Sequence, residues 1–385
     1  MTKLGSVLES LVDCEHKTAP RDESGEFFAV GTPAMAGNRV NYSQARRISA
    51  ATFATWTRRM KPGAGDLLLA REAPVGPVVM IPTAENVAPG QRTVLMRPNP
   101  RAVDSRYLYL ALSAPATQLA LQEKAAGSTV AHLNVADIRS FRFPWTFPSL
   151  HTQRAIAEVL GALDDKIAAN SRISDATDDL CEALFEEFAG CEKTTMAMVA
   201  AVNEQSVKPG EGEIRYLDIS SVSVGSYSRP DVIKWADAPG RARRLVRPGD
   251  TVWSTVRPSR RSHALVLDDD LIGSTGLAVI SPTTAGAAFV YQTTKTPQFT
   301  AYLEGVAEGS AYPAVRANRF LHAPVPAVDS EARDRFESVA YPARLRAHAA
   351  AVESRRLATL RDTLLPHLMS GRITVRDAEK AVENA

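Results

Sequence analysis

The sequence predicts an α+β protein in which two mixed α/β domains of similar plan are separated by two long antiparallel helices. Two long segments, residues 148–188 and 329–374, carry apolar or small residues at a sustained helical spacing. The same turn and strand features recur in the same order before each segment, which indicates one unit used twice. Within each unit, strands and helices do not alternate regularly, so the fold is not a βαβ fold.

The first long helix is predicted over residues 148–188. Its seam positions lie alternately four and three residues apart, which places them on one face as in a coiled coil. At ~1.5 Å per residue, about 40 residues would span roughly 60 Å, so we interpret the helix as a spacer. Its seam is formed by Ile156, Leu160, Leu163, Ile167, Asn170, Ser174, Thr177, Cys181, Leu184 and Phe188.

The second long helix is predicted over residues 329–374. Pro342 is expected to kink or restart it, and Gly371 to end it. Residues 375–385 are expected to form a frayed polar tail. Because each helix carries a wide apolar stripe, we expect an antiparallel pair with one domain at each end of a rod. In the alternative, each helix packs only on its own domain. The second seam comprises Phe336, Ala340, Ala343, Ala347, Ala350, Ser354, Leu357, Leu360, Leu364 and Leu368.

Two globular domains, residues 1–147 and 189–328, are predicted from the repeated features. Gly127-Ser128-Thr129 and Gly309-Ser310-Ala311 lie 182 residues apart, and Lys61-Pro62-Gly63 precedes the first as Arg247-Pro248-Gly249 precedes the second. Two unrelated domains with chance matches are the alternative. In the first domain we predict helices at 3–11, 49–60, 105–113 and 116–126, and strands at 25–33, 66–71, 78–81 and 93–96. In the second we predict strands at 215–219, 249–258, 264–267 and 277–280, and a helix at 297–306.

Composition is that of an ordinary globular protein, with 45% hydrophobic and 23% charged residues. We expect no membrane span, because no eighteen consecutive residues are apolar. The N-terminal residues lack the apolar core of a signal peptide. Three cysteines (Cys14, Cys181 and Cys191) without CxxC spacing favour a reducing, cytoplasmic location over a disulfide framework or a zinc site.

Catalytic signatures are missing from the sequence. It contains no GxxxxGK[ST] phosphate loop, no GxGxxG, no HExxH and no Asn/Asp-Pro-Pro-aromatic motif of amino-methyltransferases. We therefore predict no catalytic residue, no metal ligand and no cofactor in this chain. Asp268-Asp269-Asp270 is the nearest approach to a metal site, and we interpret it as a solvated turn.

Arginine placement is the positive functional signal. An arginine fork can bond guanine bidentately or clamp a phosphate. Residues 1–148 hold 17 basic and 12 acidic side chains, whereas residues 149–188 hold 3 and 9, so the first domain is basic and the first long helix acidic. Ordinary solvated loops are the alternative. The candidate DNA-binding residues are Arg46, Arg47, Arg58, Arg59, Lys61, Arg71, Arg241, Arg243, Arg244, Arg257, Arg260 and Arg261.

The chain resembles the specificity subunit of type I restriction-modification systems over nearly its whole length. The resemblance rests on Gly127-Ser128-Thr129, on FRFPWTFPSLHTQRAIAEVLGALDDKIAANSRI, and on LRDTLLPHLMSGRI at 360–373. The family pattern of Pro-Pro, Gln and Ile-Ala-x-x-Leu-x-x-x-Asp-x-x-Ile is met by Pro148, Gln153, Ile156, Ala157, Leu160, Asp164 and Ile167. Phe147 replaces the first Pro. In the second copy, Ala332-Arg333 stand where Gln is usual.

This resemblance implies two target recognition domains that each read one half of a split, asymmetric site on double-stranded DNA. The helices would act as a ruler and dock two methyltransferase (modification) subunits, which bring S-adenosylmethionine. Restriction subunits would add ATP- and Mg-dependent translocation and cleavage, as in defence against phage. The chain itself would be non-catalytic. No base-contacting residue can be transferred, because these domains vary within the family.

Two other functions remain open from the sequence. A non-catalytic two-domain assembly scaffold would show no salt-dependent affinity for DNA. An enzyme with a degenerate site would need convergent carboxylates or a cofactor loop, and the sequence provides neither.

Overall fold

The computed structural model describes residues 1–82, 86–125 and 131–384, and the chain divides into two compact units. Unit 1 comprises Met1–Ile167 and Ser354–Ala385, and unit 2 comprises Ala168–Glu353. Each long helix contributes residues to both units.

Among the described residues that precede α5, unit 1 forms two small sheets and four short α-helices. One sheet is antiparallel with strand order β1-β7-β4-β5, and the other has the order β3-β2-β6, in which β2 and β6 are parallel. The elements are β1 (Leu8–Asp13), β2 (Phe27–Val30), β3 (Arg46–Ile48), α1 (Ala50–Trp56), β4 (Leu67–Arg71), β5 (Val75–Met80), β6 (Val87–Pro89), β7 (Thr93–Pro98), α2 (Ser105–Ser113), α3 (Pro115–Lys124) and α4 (Val135–Ser140).

Two long helices follow the domains along the chain. Helix α5 spans Leu150–Glu186, and helix α9 spans Ser330–Ser370. Unit 2 further contains β8 (Lys193–Thr195), β9 (Ala200–Val202), β10 (Glu213–Leu217), β11 (Val232–Lys234), β12 (Ala242–Val246), β13 (Thr251–Ser254), β14 (His263–Leu265), β15 (Leu271–Ser274), β16 (Leu277–Pro282), α6 (Ala287–Lys295), α7 (Pro297–Gly305), α8 (Ala317–Phe320) and β17 (Pro324–Pro326). Helix α10 (Val375–Glu383) completes unit 1.

The sheets of unit 2 repeat those of unit 1. An antiparallel sheet has the order β14-β13-β16-β9, which matches β5-β4-β7-β1 strand for strand. The second sheet has the order β11-β10-β15-β12 with β10 and β15 parallel, which matches β3-β2-β6 with one strand added. Helices α3 and α7 begin at Pro115 and Pro297, 182 residues apart. The predicted α+β fold, used twice, is confirmed.

The ends of the long helices follow local chemistry. The Ser149 hydroxyl accepts the Thr152 amide at 3.2 Å before α5, and an Asp329 carboxylate oxygen accepts the Ala332 amide at 2.7 Å before α9. After α9, Gly371 has φ +70°, and the Gly371 and Arg372 amides donate to the carbonyls of Leu368 and His367. This Schellman motif confirms the predicted helix end.

Pro342 does not restart helix α9, which is continuous across it, so the expected restart was wrong, while the expected kink stays a prediction. A proline removes one helical hydrogen bond, and its ring here faces solvent, where the freed carbonyl can bind water.

The seams of both long helices face the interior of each unit. In unit 1, the start of α5 packs against the end of α9, with Ile156, Leu160, Leu163, Leu357, Leu364 and Leu368 in or against one core that also holds domain residues. In unit 2, the end of α5 packs against the start of α9 through Cys181, Leu184, Phe185, Phe336 and Ala340. Ile167 is half-buried. The helices therefore pair in antiparallel fashion within each unit and also pack on the domain cores.

Two terminal segments differ from the predictions. Residues 3–11 do not form a helix: a 3₁₀ turn at Leu4–Val7 leads into β1, because pairing with β7 satisfies the backbone of this segment. The expected frayed tail is instead α10, which begins with a capping box between Thr374 and Asp377 and buries Ala378 completely.

Candidate nucleic-acid interface

Most candidate side chains of unit 1 are already engaged. The Arg58 and Arg59 guanidiniums lie 2.9 and 3.8 Å from the Glu15 carboxylate. Arg47 donates to the Gly25 carbonyl at 2.9 Å. Arg46 is exposed on β3, and its side chain has no partner among the described residues. Lys61 is also exposed.

Arg71 lies inside unit 1 and does not offer its guanidinium to an external partner. It is 9% exposed, donates to the Leu133 carbonyl at 3.2 Å and lies 3.3 Å from Asp13. It also approaches His16 Nδ1 at 3.2 Å. We therefore exclude Arg71 from the interface. If its guanidinium moved to contact DNA, the Asp13 carboxylate would lose its ion-pair partner inside the protein, which is energetically costly.

Asp13, Cys14 and His16 bring three potential metal-ligand atoms within 4.8 Å of one another. The Arg71 guanidinium contacts both Asp13 and His16 and supplies the positive charge that a cation would bring. Burial raises the pKa of the Cys14 thiol, which disfavours the thiolate that binds metals. The arrangement is that of an ion-pair network.

The arginines in and directly before β12 of unit 2 are engaged to different degrees. Arg241 is exposed, lies 2.9 Å from Asp218 and donates to the Tyr216 hydroxyl at 2.9 Å. Arg244 donates to the Ser206 hydroxyl at 3.4 Å. The half-buried Arg243 side chain has no partner in the part of the chain that the structure describes.

The loop from β13 to β14 presents three arginines, two of them on left-handed backbone. Arg257 and Arg261 adopt φ values of +53° and +54°, in the left-handed region that few non-glycine residues occupy. The Arg257 guanidinium lies 4.4 Å from the ring centroid of Tyr312, which is 68% exposed. Arg260 is exposed without a side-chain partner among the described residues, and Arg261 donates to the Lys295 carbonyl at 2.6 Å.

A buried histidine contacts the end of the loop between β13 and β14. His263 is fully buried and stacks on Trp253, with ring centroids 4.4 Å apart. Its Nδ1 lies 2.6 Å from the Arg261 carbonyl oxygen, so Nδ1 carries the proton and donates to that oxygen. Burial lowers the pKa of His263 to about 4, and the ring is therefore neutral at pH 7. The neutral ring thus anchors the strained end of the loop.

The equivalent loop of unit 1 has different chemistry. Ala73-Pro74 corresponds to Arg257-Pro258 in the repeat, and Ala73 has the same left-handed backbone, with φ +47°. Gly127-Ser128-Thr129 lies outside the described residues. Its counterpart, Gly309-Ser310-Ala311, directly precedes Tyr312, and Gly309 has φ +97°. The two units therefore share a scaffold but differ in the side chains at this loop.

The motif glutamine of the first long helix has a structural role. Gln153 is buried, accepts the Asp104 amide at 3.0 Å and donates to the Pro148 carbonyl at 2.9 Å, which ties α5 to the start of α2. In the second copy, Glu337 accepts the amides of Ala288 and Phe289 at 3.1 and 3.0 Å at the start of α6. Sequence reasoning missed Glu337 because it lies four residues beyond the position where the glutamine was sought.

The Asp268–Asp270 turn is not simply solvated, which corrects the interpretation from the sequence. Asp268 is 7% exposed, and its carboxylate accepts the Tyr227 hydroxyl at 2.6 Å and lies 3.5 Å from His348. Asp270 lies 3.2 Å from Arg215. These partners tie the turn to β10 and α9, and Asp269 alone of the three faces solvent without a partner in the described part of the chain.

Comparison with known proteins finds one matching family model and similar solved structures. Residues 14–176 match the family model described as the type I restriction modification DNA specificity domain. The S subunit of a type I restriction-modification system from M. genitalium has the same fold, with a TM-score of 0.64 and 14% identity over 96% of this chain and 95% of that one.

A second solved structure, the HsdS subunit from Thermoanaerobacter tengcongensis, aligns at a TM-score of 0.35 with 15% identity over 97% of this chain and 96% of that one. A search of curated proteins found no match. Among the described residues, no helix combines the length and apolar character needed to cross a membrane.

Proposed function

We propose that this chain, whose residues 14–176 carry a type I restriction-modification DNA specificity domain, is the specificity subunit of such a complex and reads a bipartite, asymmetric site on double-stranded DNA. The observation that carries the proposal is the duplicated scaffold with different arginine sets in its two copies. Each unit would read one half-site, and different side chains would read different bases.

Four arginines that have no hydrogen-bond or ion-pair partner among the described residues support a nucleic-acid interface. After the engaged side chains are set aside, Arg46 in unit 1 and Arg243, Arg257 and Arg260 in unit 2 have no hydrogen bond or ion pair among the described residues. An unpaired guanidinium can bond a phosphate or a guanine without first breaking an internal contact.

The catalytic chemistry is assigned to partner subunits. Two methyltransferase subunits would supply S-adenosylmethionine and the reacting groups, and restriction subunits would use ATP and Mg. Apolar side chains on the outer surface of the long helices support docking: Leu180, Val339 and Leu345 are 42%, 47% and 43% exposed. The residues of this chain would bind and orient DNA. The three free cysteines fit the reducing cytoplasm.

Methylome sequencing of the host with and without this gene tests the proposal. We expect a bipartite adenine-methylation motif to disappear when the gene is deleted and to return on complementation. An unchanged methylome would contradict it. A radiolabelled-methyl assay on unmethylated host DNA should show no transfer by the isolated chain, and transfer by the pure chain would make it an enzyme.

Measurements of DNA affinity over a range of salt concentrations distinguish the proposed function from that of an assembly scaffold that does not read DNA. A DNA reader loses affinity steeply as salt rises, whereas a scaffold has no such dependence.

A further inference from the structure

We infer that Arg257, held by Tyr312, reads the guanine of one G·C pair in the major groove of the half-site bound by unit 2. This inference rests on the proposed function. It names one side chain of this chain and the DNA base that this side chain would recognise.

The backbone positions Arg257 against the loop that carries Tyr312. The Arg257 amide donates to the Pro313 carbonyl at 2.7 Å, and Val256 forms a β-bridge with Ala314. The Arg257 carbonyl accepts the Arg260 amide at 2.9 Å. A left-handed arginine persists only where its surroundings hold it. Here hydrogen bonds between the loop of Arg257 and the loop of Tyr312 fix the backbone of both, so the position of the Arg257 Cα is fixed.

The guanidinium of Arg257 is oriented but has no hydrogen-bond acceptor among the described residues. It lies over the Tyr312 ring at 4.4 Å, and its side chain makes no hydrogen bond or ion pair within the described residues. The other arginines nearby differ: Arg261 donates to the Lys295 carbonyl, and Arg241 pairs with Asp218. The ring contact holds the guanidinium in place and leaves its N–H groups without an acceptor among the described residues.

Guanine is the base that fits such an edge. In the major groove it presents two adjacent acceptors, O6 and N7, and a planar arginine fork bonds both at once. A phosphate would also accept hydrogen bonds from the arginine fork. A phosphate contact, however, does not require the arginine to be held in one orientation. A guanidinium that an aromatic ring already holds loses little rotamer freedom on binding, which suits a contact that must discriminate between bases.

The test is selection of a fully randomised double-stranded DNA library by the full-length chain, co-expressed with its methyltransferase partner. Wild type is compared with Arg257→Gln, Tyr312→Ala, Tyr312→Phe and the control Arg335→Gln. Arg335 is exposed on α9 and pairs with Glu331, so its replacement removes the same charge from unit 2 away from the loop. Thermal unfolding of each variant checks that it is folded.

We expect wild type to require a guanine at one position of one half-site, with roughly 5- to 150-fold discrimination. Arg257→Gln should abolish that preference and leave every position of the other half-site unchanged. Tyr312→Ala should weaken the same preference, Tyr312→Phe should retain it, and Arg335→Gln should match wild type.

Two results would overturn the inference while leaving the proposed function intact. One is a base preference of Arg257→Gln identical to that of wild type. The other is a loss of affinity by the same factor for every sequence, which would make Arg257 a phosphate contact. If wild type selects no sequence at all, the proposed function fails, and this inference fails with it.

Discussion

Replacing His263 should remove a pH dependence from the stability of unit 2. His263 is fully buried beneath the Arg257–Arg261 loop, and burial lowers its pKa from 6.5 to about 4. In the unfolded chain the ring takes up a proton near pH 6.5. Between these two pH values the unfolded state binds more protons than the folded state, so stability falls as the pH falls.

The magnitude follows from the two pKa values. At 1.36 kcal/mol per pKa unit, the interval from 6.5 to about 4 corresponds to about 3 kcal/mol of unfolding free energy at pH 4. For a unit of this size, this amounts to a fall in Tm of roughly 6–12 °C between pH 7 and pH 4. Asp250 acts in the opposite direction near pH 4, because burial raises its pKa and its neutral form is favoured in the folded state.

The assay is differential scanning calorimetry of wild type, His263→Asn and His263→Phe from pH 7.5 to pH 4. Asn keeps a donor for the Arg261 carbonyl, and Phe keeps the ring stacked on Trp253, but neither titrates in this range. Both variants will be less stable at pH 7, so the measured quantity is the change in Tm with pH. Asp250 is common to all three proteins and cancels in the comparison. Parallel pH profiles for wild type and variants would refute the reasoning.

Three further predictions concern the helices and the interface. Glu337→Ala should cost about 1–3 kcal/mol of unfolding free energy, because two buried α6 amides lose their acceptor, whereas Glu331→Ala, at an exposed position on the same helix, should be nearly neutral in chemical denaturation. Leu163→Lys should cost several kcal/mol and yield insoluble protein or protein that no longer co-purifies with its methyltransferase, while Ala162→Lys should stay soluble and assembled; a soluble, assembled Leu163→Lys would contradict the buried seam. Arg260→Ala should lower the log–log salt slope of DNA affinity by about 0.9 without changing the selected sequence, and an unchanged slope would show that Arg260 contacts no phosphate.

Local sequence chemistry determined much of the architecture. The four-and-three spacing of the seams was enough to predict two long helices, because an apolar stripe of that length is buried only as a helix face. The order of turn signals was enough to predict a repeated unit, since glycine and proline mark the same backbone positions in both copies. The capping box at Thr374 is also a local feature, so the sequence contained enough information to predict α10. The polar composition of the tail led instead to the prediction of a frayed segment.

Tertiary structure decided which arginines are available. Arg71 ends β4 and Arg257 follows the end of β13 by three residues, yet Arg71 is buried and Arg257 is only half-buried. The difference lies in partners far away along the chain: Asp13 and Leu133 engage Arg71, whereas the Arg257 guanidinium lies over the Tyr312 ring and has no hydrogen-bond or ion-pair partner in the part of the chain that the structure describes. A guanidinium is buried only where hydrogen-bond acceptors offset the cost of removing it from water. Those acceptors are brought close by folding. Spacing along the sequence does not carry this information.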